Sequence, residues 1–249
     1  MRKLFFAATL VAFALFLSIS SASAANYTNT PVKQMTNVSS TNIIGSTNYG
    51  YVEKEFYGSQ KSNQTIVLIV GVHPQEHGIH TAVANTLASK SAKLTKKYVI
   101  YKIHVTKDAN DYSKGRMNGQ LLAQQFVVPD VPKQKPMLVV DNHENHYKQS
   151  GYAYSRFLYP ISNSTITRTY AKEIVGKMPF LVIYTPPNHT SPHYVTVPIA
   201  NKGIPTLIYE TYMYDSAAMK ASFANDLIDA LDTKVGNISV KTAQTTANK

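Results

Sequence analysis

The chain has 249 residues, a formal charge of +11 and no cysteine. Without thiols there is no disulfide framework and no thiolate metal site, so any metal centre must be built from His, Asp or Glu. The length suits one domain with a substantial core, and the basic charge, spread along the chain, reads as solvated faces or as attraction to an anionic wall, glycan or membrane surface; no nucleic-acid-binding motif accompanies it.

In chain order, residues 1–24 read as a secretory signal peptide. Arg2 and Lys3 precede a short apolar stretch that ends in the small-x-small run Ala22-Ser23-Ala24. The protein is therefore expected to be secreted or displayed at the cell surface. No later segment reaches the roughly 18 apolar residues of a membrane span. Residues 25–48, rich in Asn and Thr, read as an N-terminal linker or arm, 49–237 as the catalytic domain and 238–249 as a disordered tail. Asn26, Asn37, Asn63, Asn163, Asn188 and Asn237 each begin an N-x-S/T triplet, compatible with a glycoprotein. Alternating or continuous apolar runs predict strands at 51–58, 65–72, 98–106, 137–143, 180–187 and 206–214. Three- and four-residue spacing predicts helices over 76–92, 164–177 and 216–235. The expected fold class is α/β, a single domain with helices on the faces of its sheet.

Ligands of open α/β sheets sit outside the carboxyl ends of the strands. Strand 65–72 runs into His73 and Glu76, strand 137–143 ends in Asp141 and His143, and strand 206–214 carries Glu210. Two imidazoles and a carboxylate form a ligand set common in catalytic zinc sites, which keep one position open for water. Glu210 is placed to act as a base. His77 and His80 on the following helix read as solvent-facing or packing residues.

The segments "GVHPQEHG", "VVDNHENH" and "GIPTLIYETY", in that order, resemble the zinc carboxypeptidases and their relatives the succinylglutamate desuccinylases and aspartoacylases. The resemblance implies a mixed, mostly parallel sheet of about eight strands flanked by helices, one zinc ion, and hydrolysis of an amide or peptide. It makes His73, Glu76 and His143 the zinc ligands, Glu210 the general base, and Asp141 a carboxylate supporting the ligands. The stretch 108–126 matches a family segment that places Arg116 on the arginine stabilising the oxyanion. Tyr194 is the candidate for the substrate-contacting tyrosine. Where the family holds the substrate's terminal carboxylate with Asn-Arg, this chain has Ala123 and Gln124, and Arg156 is the candidate to replace that clamp in substrate binding. The expectation is a monomeric metallopeptidase acting on a peptide or cell-wall polymer. The rival expectations are an exopeptidase with a relocated clamp and a non-catalytic wall-binding protein that retains the fold.

Overall fold

The computed structural model describes residues 41–187 and 191–236. The expected signal peptide, most of the arm, the tail, and Asn26, Asn37, Asn188 and Asn237 lie outside the described residues. The strands are β1 (Thr41–Thr47), β2 (Gly50–Gly58), β3 (Thr65–Val70), β4 (Lys97–Val105), β5 (Leu138–Asn145), β6 (Phe157–Pro160), β7 (Val182–Ile183) and β8 (Thr206–Tyr212). They form one eight-stranded sheet in the order β1-β2-β4-β3-β5-β8-β6-β7. The central pairs β4-β3, β3-β5 and β5-β8 are parallel, as is β6-β7, and the pairs β1-β2, β2-β4 and β8-β6 are antiparallel.

Burial on both faces explains the central strands. All six residues of β3, "TIVLIV", are buried, as are all eight of β5, the pattern of parallel strands covered on two sides. Four longer helices supply the cover: α1 (His77–Lys90), α2 (Tyr112–Leu122), α3 (Thr165–Lys177) and α4 (Ala217–Thr233). On one face, Ile66, Leu68 and Val140 pack with Val83 of α1, Ile174 of α3 and Leu227 of α4. On the other, Val67, Ile69 and Val139 pack with Leu122 of α2, Val127 and Ile199. Helices α3 and α4 start on serine caps, Ser164 accepting from the Thr167 amide and Ser216 from that of Met219.

Four features depart from the sequence reading. Residues 41–47, expected in the arm, form edge strand β1; it pairs on one side only and is largely exposed, so its sequence has no apolar alternation to reveal it. Strand β6 is four residues long, too short for a periodic signal. The strand expected over 180–187 is reduced to the two residues of β7, and Pro186 and Pro187 just beyond it have no amide to donate to a ladder. Helix α2 arises where Gly115 and Gly119 argue against one, for reasons that lie in its packing.

Candidate metal centre

Strand β3 ends at Val70 and is followed by Gly71, whose φ of +88° suits glycine and whose missing side chain leaves room for the Ile103 carbonyl. The chain then turns, with the Glu76 amide bonded to the His73 carbonyl at 3.1 Å, and enters α1. Glu76 occupies the N-cap of α1 without capping it. Its carboxylate instead faces two imidazoles: Oε1 lies 2.8 Å from His73 Nδ1, and Oε2 lies 2.8 Å from His143 Nδ1. The two Nδ1 atoms are 3.1 Å apart. All three side chains are buried.

The outer nitrogens of both rings lie beside polar groups of other residues. His73 Nε2 is 3.1 Å from Gln120 Nε2 on α2. His143 Nε2 is 3.0 Å from Asp141 Oδ2, close but misaligned for a well-formed hydrogen bond. Such contacts orient ligand imidazoles. Burial pushes the His73 imidazole down to about 4, which keeps it in the neutral form a cation requires. For Glu76, burial opposes ionisation, but His73 and His143 outweigh it and hold the carboxyl well below its usual range. For His143, burial is outweighed by Asp141 and Glu76, so its pKa is raised.

His73, Glu76 and His143 each offer a ligand atom within 4.8 Å of the others, a group that could hold a metal ion. Bonds of 2.0–2.1 Å in a tetrahedron put neighbouring donors about 3.3 Å apart, near the spacing of these nitrogens. The donor set, with both Nδ1 atoms turned toward the Glu76 carboxylate, therefore fits a divalent cation.

Helix α2 reaches this centre because two glycines let it approach. The Asp111 side chain caps it through the amides of Ser113 and Lys114 at 3.0 and 2.8 Å. Gly119 faces the Val72 carbonyl, and Gly115 faces the Asp108 and Ala109 carbonyls with Pro74 beside them, leaving no space for a Cβ. Arg116 and Gln120, one helical turn apart, then address the same turn: Arg116 Nη1 donates to Glu76 Oε1 at 2.6 Å, and Gln120 meets His73.

Glu210 pairs in register with His143 across parallel β5 and β8, so its carboxylate stands one strand from the ligands. It is buried, which pushes its carboxyl up to about 7. Asn145 Nδ2 donates to Glu210 Oε2 at 3.1 Å and to the Thr211 carbonyl at 3.1 Å. Glu210, Arg116, Tyr112, Tyr152, Phe157 and Tyr159 are among the residues lining one cleft with His73 and Glu76.

The structure thus brings together His73, Glu76, His143, Asp141, Arg116 and Glu210. It does not bring Tyr194 or Arg156 to the cleft. Tyr194 is partly buried against the core on the α2 face of the sheet. Arg156 is tied by Nε to Asp215 Oδ2 at 2.9 Å and by Nη2 to Oδ1, with its guanidinium over the Phe223 ring. A bidentate partner already occupies its fork. Of the two histidines read as solvent-facing or packing, His80 is buried with Nε2 2.8 Å from the Asn142 carbonyl, whereas His77 is exposed. Gln120 and Asn145 were not foreseen. Asn145 had a signal: Asp141, His143 and Asn145 alternate along one face of β5.

This eight-stranded mixed sheet with flanking helices is a carboxypeptidase-like α/β fold. Among solved structures, the chain superposes on a protein assigned as carboxypeptidase A from Shewanella denitrificans with a TM-score of 0.52 at 16% identity, over 80% of this chain and 65% of that one. A protein assigned as a carboxypeptidase from Burkholderia mallei gives a TM-score of 0.51 at 13% identity, over 80% and 64%. The cell shape determinant protein Csd4 from Helicobacter pylori gives 0.50 at 10%, over 72% and 53%. The chain thus spans slightly less than two thirds of the first two proteins it matches. No protein-family model and no curated protein matches the sequence.

Proposed function

We propose that this chain is a secreted zinc-dependent amide hydrolase acting on a peptide or a cell-surface polymer. The observation that carries this reading is the convergence of His73 Nδ1, the Glu76 carboxylate and His143 Nδ1, with Glu210 on the adjoining strand. His73, Glu76 and His143 would hold the ion, with Gln120 and Asp141 fixing the two rings. When bound there, zinc supplies Lewis acidity, polarising a carbonyl and lowering the pKa of water to about 7. Glu210 accepts the proton of the attacking water on its carboxylate and returns it to the departing amine. Asn145 holds Glu210 Oε2 and so aims the carboxylate. Arg116, on the cleft wall, lends a guanidinium to the oxyanion as charge develops; this requires it to share or leave the Glu76 contact.

The cleft supports a substrate that is not gripped by its C-terminal carboxylate. Among the described cleft-lining residues Arg116 is the one Lys or Arg, and Glu76 already engages it. Ala123 is buried in the core, Gln124 is exposed, and Arg156 is held by Asp215. The remaining lining is rich in aromatic and neutral polar side chains, suited to an extended chain that continues past the scissile bond. The charge of +11, of which residues 1–24 carry only Arg2 and Lys3, and the fold shared with a protein named as a cell shape determinant support a wall polymer as that chain. Export rests on residues 1–24.

Paired peptides with free and amidated C-termini test the reading. Hydrolysis of both with kcat/KM values within about tenfold is expected, and Glu210→Gln should lower kcat on both by about 10²–10⁴-fold. Turnover confined to the free carboxylate would instead establish an exopeptidase.

A further inference from the structure

We infer that the buried Lys220–Glu144 ion pair is a positioning device for the cation site, an inference that rests on the metal reading above. Lys220 on α4 and Glu144 on β5 are both buried. Lys220 Nζ lies 2.5 Å from Glu144 Oε1 and donates to the Met213 carbonyl at 2.7 Å. The same Oε1 accepts the Ile79 amide, in the first turn of α1, at 3.1 Å. The Glu144 amide in turn donates to Glu76 Oε2 at 3.1 Å. One ammonium therefore ties together the start of α1, which carries Glu76, the end of β5, which carries His143, and the segment after β8, which follows Glu210.

Stability alone is a poor account of this pair. Two charges withdrawn from water often add nothing over apolar groups of similar volume, whereas their hydrogen bonds admit a single geometry. Gly78 points the same way. A Cβ at that position would fall 2.5 Å from Lys220 Nζ and 3.0 Å from Glu144 Oε1. Glycine disfavours the helix it sits in, and here it leaves the space the ammonium occupies. The pair touches neither ring nitrogen of the ligands, so Lys220 and Glu144 act through Glu76 and the β5 backbone.

The test is zinc affinity, measured by competition with a chromogenic chelator, together with the visible spectrum of the cobalt-substituted protein. The double variant Lys220→Met/Glu144→Gln removes both charges at once and should melt near the wild type. It is expected to bind zinc about 10–100-fold more weakly, with an altered cobalt spectrum. A folded double variant with wild-type affinity and spectrum would overturn the inference. If that variant does not fold, Gly78→Ala decides: it favours the helix while crowding the ammonium away from Glu144. A loss of affinity of at least about tenfold supports positioning, and unchanged affinity overturns it. Failure of the wild-type protein itself to take up zinc would refute the metal reading, an outcome distinct from either.

Discussion

Glu210 illustrates how a single side chain acquires its chemistry from its neighbours. In β8 it is the one charged residue, buried beside Thr211, and burial pushes its carboxyl up to about 7. A base works only when deprotonated, so kcat/KM should rise with pH through the pKa of Glu210. A cation beside it favours the anion and lowers that pKa. The acid limb of the pH profile of kcat/KM for the zinc-loaded protein is therefore expected below pH 7, with the plateau above it. A limb centred well above 7, or one unchanged in Glu210→Gln, would contradict the assignment of Glu210 as base. His73, Glu76 and His143 were legible because each is polar at the end of a run that is otherwise apolar and buried. Gln120 was not, since an exposed-looking glutamine gains its meaning only once α2 lies across the turn at 73–76.

At the level of elements, helix α2 depends on its two glycines more than on its own propensity. A methyl group at Gly119 would meet the Val72 carbonyl, lift α2 from the turn and pull Gln120 away from His73. Gly119→Ala should therefore destabilise the protein by about 1–3 kcal/mol despite alanine's higher helix propensity, as read from urea unfolding. A stabilised variant would show that α2 does not pack as described. The same physics explains what the sequence concealed. Local rules read Gly115 and Gly119 as helix breakers, whereas tertiary approach selects them. Strands β3, β4, β5 and β8 were visible because their buried stretches leave apolar runs, IVLIV, YVIY, LVV and LIY. Strands β1 and β6 were not, one being exposed at the edge and the other only four residues long.

For the molecule as a whole, the mixed eight-stranded sheet and its flanking helices follow from a readable alternation of strand and helix, while the edges had to be seen. The placing of the site follows from topology. Parallel β3, β5 and β8 point their carboxyl ends the same way, so residues 70 and 67 positions apart along the chain meet at one carboxylate-imidazole cluster. The fork of Arg156, the candidate substitute clamp, is taken at this scale by Asp215, which lies beside it in space but 59 positions away in sequence. What the whole account requires is one ion at that meeting point. Crystals soaked in zinc and recorded on both sides of the zinc absorption edge measure this directly. The account predicts a single anomalous peak bounded by His73 Nδ1, the Glu76 carboxylate and His143 Nδ1, vanishing below the edge. Density that contains no such peak, or that places the zinc away from these three side chains, would contradict it.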